Sequence, residues 1–133
     1  MISPQYVTDT VSRALLEDVG TGDLTASLIK PSTLASATIK SREAGILCGI
    51  AFASEAFRQT DPACQLDWLL SDGDSLSAGD ELCRMQGPAR ALLTAERTAL
   101  NFIQLLSGTA TTASCYAARV AHTGVKLLDT RKT

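Results

Sequence analysis

Three cationic side chains and their neighbours are the residues of this chain best suited to carry chemistry. Arg97 lies on the polar face of a predicted helix, where Thr98, Asn101 and Gln104 are placed to hold it by hydrogen bonds. A guanidinium presents a planar fork of N–H donors that matches a carboxylate or a phosphate. Arg97 is therefore a candidate anion-binding residue; the alternative is an ordinary surface arginine that pairs with Glu96 or is solvated.

The other two cations, Arg131 and Lys132, stand between two threonines and follow a short apolar run. That run, residues 125–128, is predicted to be a strand, and α/β sheets and barrels place ligand-binding groups at the carboxyl ends of their strands. Two cations and the hydroxyl of Thr133 at such a point would suit an anionic small molecule. The alternative is a polar tail after the last core residue.

Other residue types that often carry chemistry indicate structural roles here. The four cysteines form no C-x-x-C pair, so we predict small buried thiols rather than a zinc or redox site. His122, the single histidine, precedes Gly124 and is predicted to close a helix. No dinucleotide-binding or P-loop motif is present. No residue is assigned as catalytic with certainty, and no metal ligand is predicted.

Composition narrows the class of protein further. The 133 residues are 45% apolar and 20% charged with a net charge of −2, which excludes a disordered chain and a general attraction to nucleic acid or anionic membranes. The longest uncharged stretch, residues 98–118, contains eight polar side chains and predicts a packed helix, not a membrane span. Residues 1–5 do not resemble a secretory signal, and together with the cysteine pattern this predicts a cytoplasmic protein.

Hydrophobic spacing predicts the elements that must position the cations. An acidic, glycine-containing turn at residues 17–23 separates a first helix from a short one that Asp23 is predicted to cap. Two Gly-Asp pairs six residues apart predict tight turns around a short strand, with Leu76 and Leu82 pointing inward. The predicted helices span 4–17, 24–28, 50–59 and a long pattern after Pro88 that Gly108 interrupts or kinks; the predicted strands span 34–42, 44–49 and 65–70.

This order of elements is typical of an α+β layer of mainly antiparallel strands, up to about residue 85. The Gly-Asp turns also occur in hammerhead and barrel-sandwich carrier domains, which present a modifiable lysine on a hairpin. No lysine lies between Lys40 and Lys126, so a carrier function is disfavoured.

The apolar stripe of the long helix, on a different face from Arg97, is formed by Leu92, Ala95, Ala99, Phe102, Leu106, Ala110 and Ala113.

Five motifs resemble those of one enzyme family in the same order along the chain. They are LLEDVGTGDLT (residues 15–25), SREAG (41–45), GPARALLTAERTALNF (87–102), LLSGTAT (105–111) and LDTRKT (128–133). The chain resembles the quinolinate phosphoribosyltransferases, also called carboxylating nicotinate-nucleotide pyrophosphorylases. The resemblance implies a hammerhead-like α/β sandwich domain at residues 1–108, which includes the helix of Arg97. Residues 109–133 would then begin an incomplete α/β barrel.

The resemblance also implies a function and a partner. Family members join quinolinate to phosphoribosyl pyrophosphate, release pyrophosphate and CO2, and form nicotinate mononucleotide for NAD synthesis. Arg97 would grip a quinolinate carboxylate in the neighbouring subunit of a homodimer. Arg131, Lys132 and Thr133 would bind quinolinate and the phosphoribosyl donor, and Mg²⁺ would accompany the donor on ligands outside this chain.

The chain departs from the family pattern after its first predicted barrel strand. The family's downstream His-Arg pair, second lysine, acidic groups and phosphate-binding loops are absent, so we predict a front portion that is inactive alone. Two alternatives stay open. One is a self-standing hammerhead-like interaction module without catalysis, and the other is a sister phosphoribosyltransferase with a different acceptor, such as nicotinate or one linked to molybdate transport.

Overall fold

Four helices and five strands make up the described part of the chain in the computed structural model, which describes residues 2–20, 22 and 24–128. The helices are α1 (Pro4–Val19), α2 (Leu24–Ser27), α3 (Ile50–Thr60) and α4 (Ala89–Val120), followed by a 3-10 turn (Ala121–Thr123). The strands are β1 (Leu34–Lys40), β2 (Gly45–Ile46), β3 (Gln65–Trp68), β4 (Ser75–Leu76) and β5 (Glu81–Pro88). The predicted α+β class is confirmed; the predicted cap Asp23 lies outside the described residues.

Two antiparallel sheets form the strand layer. β5 is the central strand between β1 and β3, and β2 pairs with β4. β1 forms as predicted and pairs with β5, but the predicted half-buried face is wrong, since Ile39 is its one buried residue. The other end of β1, from Leu34 to Ser36, borders an open groove shared with β3 and β5. Alternation defines which residues share a face, whereas burial requires a second element above that face.

The core lies between the three-stranded sheet and helices α1, α3 and α4. Its most enclosed large side chains, Phe57, Leu47, Val11 and Cys83, are at most 1% exposed. Phe52 stacks on Phe102 with the ring centroids 5.1 Å apart, which joins α3 to α4. Leu76 and Leu82, predicted to point inward from the Gly-Asp turns, are buried, so that prediction is confirmed.

A distant carboxylate caps helix α3. The helix begins after Gly49, which has φ +111° and no side chain to accept from the first backbone N–H groups. Asp72, from the first Gly-Asp turn, accepts through Oδ1 from the N–H groups of Gly49 (2.9 Å) and Ile50 (3.1 Å). A β-carbon at Gly49 would lie 3.2 Å from the carbonyl oxygen of Phe102. The turn therefore satisfies two backbone donors at the start of α3, and the missing side chain of Gly49 lets α3 approach α4 closely.

Helix α4 is continuous over 32 residues, so the interruption predicted at Gly108 is wrong. One interior glycine costs only about 1 kcal/mol relative to alanine, and hydroxyl groups on either side of it hold the helix to the β2 region. Ser107 donates its hydroxyl to the carbonyl of Cys48 and accepts from the Cys48 N–H, while Thr111 accepts from the N–H of Ile46. The predicted domain boundary after residue 108 falls within this helix and stays a prediction.

The region after α4 differs from expectation in one respect. His122 lies in the 3-10 turn that closes the helix, and Gly124 follows with φ +71°, as predicted. Residues 125–128, predicted to be a strand, have no strand pairing, and Val125 and Leu128 are 63% and 76% exposed. A strand is stabilised by hydrogen bonds to a neighbouring strand, and the described residues provide none there.

The four cysteines differ in how far they are buried. Cys83 is buried, and burial raises the pKa of its thiol to about 11. Cys48 and Cys64 are partly covered, whereas Cys115 is exposed on α4, so the prediction of a buried thiol is wrong for Cys115. All four are free thiols.

In the described part of the chain, no helix combines the length and the hydropathy needed to cross a membrane.

Candidate anion-binding site

Arg97 projects from α4 on the side away from the core. Its side chain is 74% exposed, whereas the next residue, Thr98, is 3% exposed. Asn101 and Gln104 lie one and two turns further along and are exposed, but among the described residues Arg97 bonds to Asp18 of helix α1. The predicted support from α4 itself is therefore wrong, as is the alternative pairing with Glu96, and α1 supplies the partner.

The carboxylate of Asp18 joins two consecutive residues of α4. Arg97 donates from Nη1 to Oδ1 of Asp18 over 2.9 Å, and Thr98 donates its hydroxyl to Oδ2 over 3.3 Å. The Asp18 side chain is 22% exposed, so the ion pair is shielded on the carboxylate side and open on the arginine side.

The end of helix α1 brings Asp18 to α4. Ser3 caps the start of the helix by accepting from the N–H of Tyr6, and Val7 and Val11 bury its inner face. Gly20 ends the helix with φ +51° and donates its N–H to the carbonyl of Leu16. Asp18 thus occupies the last turn at a position fixed by both ends of the helix.

A second arginine of α4 ties down the segment that follows the acidic turn. Arg90 donates from Nε to the carbonyl of Ile29 (2.6 Å) and from Nη2 to the carbonyl of Ser27 (3.1 Å). These bonds connect Ser27, the last residue of α2, and Ile29, two residues further on, to the front of α4. The stretch from α1 to α2 therefore contacts α4 both before and after its turn, through Asp18 and through Arg90.

Of the four predicted site residues, the structure describes only Arg97; Arg131, Lys132 and Thr133 lie outside the described residues.

Asp18 was missed by reasoning from sequence. A usable signal was present, because Glu17 and Asp18 place two carboxylates at the carboxyl end of a helix, where the helix dipole disfavours negative charge. Within residues 2–20, 22 and 24–128, no three His, Cys, Asp or Glu side chains come together as a metal site.

The structure is thus an α+β domain in which a long helix carries an exposed arginine, Arg97, paired with Asp18. A family model described as the N-terminal domain of quinolinate phosphoribosyl transferase matches residues 23–107. The chain therefore belongs to the quinolinate phosphoribosyltransferase family, and it contains the family's N-terminal domain.

Individual relatives agree with the family model. The quinolinate phosphoribosyltransferase (decarboxylating) 1 of Nicotiana glauca is 39% identical over 125 residues, which cover 92% of this chain and 35% of that protein. The chloroplastic nicotinate-nucleotide pyrophosphorylase (carboxylating) of Oryza sativa subsp. japonica is also 39% identical over 125 residues, with 92% and 33% covered.

A solved structure extends the comparison to the fold. The nicotinate-nucleotide pyrophosphorylase from Francisella tularensis superposes with a TM-score of 0.95 at 43% identity, over 100% of this chain and 47% of that one. The chain thus spans between about a third and a half of the length of these relatives.

Proposed function

We propose that this chain is the N-terminal part of a quinolinate phosphoribosyltransferase. The complete enzyme would transfer the phosphoribosyl group of phosphoribosyl pyrophosphate to quinolinate, release pyrophosphate and CO2, and form nicotinate mononucleotide. The observation that carries the proposal is the match of the whole described fold to a named enzyme of this activity at 43% identity and a TM-score of 0.95. Because the chain covers less than half of that enzyme, we expect it to be inactive alone.

Arg97 is the residue of this domain that we propose to contact quinolinate. Quinolinate carries two carboxylates, and a guanidinium binds a carboxylate through two parallel N–H···O bonds. Arg97 uses Nη1 for its bond to Asp18, and its side chain is 74% exposed, so we propose that the Nε–H and Nη2 groups bind the substrate carboxylate. A side chain that is 74% exposed is accessible to a site on another subunit, and with the family resemblance this supports a homodimer in which Arg97 serves the neighbour.

The remaining binding groups are proposed from the family resemblance. Arg131, Lys132 and Thr133 would bind quinolinate and the phosphoribosyl donor, where lysine acts as a point charge on phosphate and arginine as a fork on carboxylate. The described residues do not form a metal site, so Mg²⁺ is proposed only as a companion of the donor, held by groups outside them. We also propose a cytoplasmic location, which the four free thiols favour.

Replacement of Arg97 in the complete enzyme tests its role directly. We expect Arg97→Ala to raise KM for quinolinate about 10- to 100-fold, since a charge-assisted hydrogen bond to substrate is lost, with a much smaller change in KM for the phosphoribosyl donor. Arg84→Ala is the matched control, because Arg84 is also an exposed arginine in an ion pair, with Glu81. Steady-state kinetics with each substrate varied in turn provide the measurement. An unchanged KM for quinolinate in Arg97→Ala would contradict the assignment.

Two further measurements separate the alternatives. A stop codon directly after Thr133 in the coding sequence would favour the self-standing interaction module over the enzyme. Turnover of nicotinate in place of quinolinate by the complete enzyme would identify a sister phosphoribosyltransferase with another acceptor.

A further inference from the structure

We infer that Asp18 is a positioning residue for Arg97, an inference that rests on the proposed function. The carboxylate of Asp18 bonds to the Nη1 group of the guanidinium. In this inference, the Nε–H and Nη2 groups bind a carboxylate of the substrate. Asp18 itself does not contact the substrate. Its effect is to reduce the number of conformations that Arg97 must give up when quinolinate binds.

The position of Asp18 breaks a local rule of helix chemistry. The carboxyl end of a helix carries partial negative charge and favours Lys, Arg or His in its last turn. The last turn of α1 contains no basic residue, and Glu17 and Asp18 lie there instead. A local rule broken without a local reason indicates a demand from tertiary structure or function. The bond from Arg97 is that demand for Asp18.

Thr98 departs from a second rule, that buried helix positions are apolar, and the same interaction explains the departure. It is the one buried polar or charged residue within the described part of the chain, at 3% exposed, in a stretch of α4 where alanine and leucine fill the buried positions. Its hydroxyl donates to Oδ2 of Asp18 over 3.3 Å, so the second carboxylate oxygen is held from the buried side. Asp18 is thereby fixed independently of Arg97, which is the property a positioning group needs.

Stability alone does not account for the ion pair. Arg97 is 74% exposed, and ion pairs with so much solvent contact contribute little to folding. An arginine side chain has many rotamers, and its single bond to Asp18 favours one of them. Because that bond engages only Nη1, it prepares the guanidinium to bind a carboxylate through two other donors. The geometry therefore fits a role in ligand binding better than a role in holding α1 to α4.

The test compares Asp18→Asn with Glu17→Gln in the complete enzyme. Both substitutions remove one negative charge from the last turn of α1, but only Asp18 bonds to Arg97. We expect Asp18→Asn to raise KM and Kd for quinolinate about 3- to 10-fold, to leave kcat within about twofold, and to leave KM for the phosphoribosyl donor unchanged. Glu17→Gln should change none of these. Asp18→Glu should recover part of the affinity, since it restores the charge.

A double-substitution cycle identifies the residue through which Asp18 acts. In the Arg97→Ala background, Asp18→Asn should have no further effect on Kd for quinolinate, because the group that it positions is gone. A full additional loss there would show that Asp18 acts elsewhere and would overturn the inference. If Asp18→Asn does not fold, Thr98→Val takes its place, because it keeps the shape and removes the donor to Oδ2; about a 2- to 5-fold rise in Kd is expected.

The outcomes distinguish this inference from the proposed function. If Arg97→Ala weakens quinolinate binding and Asp18→Asn behaves like Glu17→Gln, the positioning role fails and the proposed function stands. If Asp18→Asn strengthens binding, Asp18 competes with the substrate for Arg97, and the inference is overturned as well. If Arg97→Ala leaves quinolinate binding unchanged, the assignment of Arg97 fails, and the inference fails with it.

Discussion

The two halves of helix α4 have a similar pattern of small and apolar residues but very different surroundings. In the front half, residues 89–103, seven side chains are buried: Ala89, Ala91, Leu92, Ala95, Thr98, Ala99 and Ile103. In the rear half, residues 104–120, none is buried, although the apolar stripe continues through Leu106 and Ala110 to Ala113. Periodicity thus determines which face of a helix is apolar, whereas the neighbouring elements determine how much of that face is covered.

The halves are also held by different interactions. The front half packs its apolar side chains against α1, α3 and the sheet. In the rear half, Leu106 packs at the edge of the core, and the hydroxyls of Ser107 and Thr111 bond to the backbone of Cys48 and Ile46. Buried apolar area stabilises in proportion to its extent, while a single neutral hydrogen bond contributes on the order of 1 kcal/mol. We therefore expect the front half to contribute most of the stability that α4 provides.

The largest expected effect comes from one substitution made in each half. Leu92→Ala, in the front half, should lower the free energy of unfolding by about 2–4 kcal/mol, because Leu92 is 6% exposed and its loss leaves a cavity. Leu105→Ala, in the rear half, should change it by less than about 0.5 kcal/mol, because Leu105 is 68% exposed. Urea unfolding of the 133-residue chain followed by circular dichroism measures both. Equal losses would refute the difference between the halves.

A smaller effect tests the attachment of the rear half. Thr111→Val should lower the free energy of unfolding by about 1–2 kcal/mol, since the N–H of Ile46 loses its acceptor at 2.8 Å. Thr112→Val is the control, because the exposed hydroxyl of Thr112 bonds only to the carbonyl of Gly108 in its own helix. Hydrogen exchange of the Ile46 amide gives a local readout. Unchanged protection of that amide in Thr111→Val would show that the hydroxyl does not hold β2.

The smallest effect has the opposite sign. Gly108→Ala should raise the free energy of unfolding by about 0.5–1 kcal/mol, because alanine favours the helix and no other atom lies within 4 Å of the new β-carbon. The thermal midpoint of the 133-residue chain should rise accordingly. A lower midpoint would indicate that α4 needs the flexibility of a glycine between its two halves.

Local chemistry was enough to predict most elements. The spacing of Val7 and Val11 predicted α1, and the Gly-Asp turns predicted the buried positions of Leu76 and Leu82. The errors occurred in two situations. Either neighbouring groups outweighed a local signal, or the described residues do not include the neighbouring strand that the signal requires. Gly108 does not break α4, whose ladder and hydroxyl contacts outweigh one glycine, and residues 125–128 form no strand without a partner strand among the described residues.

The candidate site shows the same limit. The face of α4 that carries Arg97 was predicted from its polar neighbours, and Arg97 is exposed as expected. Its partner was sought within α4, because residues three or four apart are the neighbours that sequence spacing identifies. The actual partner, Asp18, is 79 positions away and meets Arg97 only because α1 packs along the front half of α4.

The sequence by itself determined the order of helices and strands, the α+β class, the family and the exposed face that carries Arg97. These properties depend on residue types and on spacings within one element, which are present in the chain before it folds. Only the tertiary structure decided that Asp18 and Thr98 meet around Arg97, that Asp72 caps α3, and that no side chain in the rear half of α4 is fully buried. Such contacts join residues far apart in sequence, so they follow from how the elements pack and not from any local pattern.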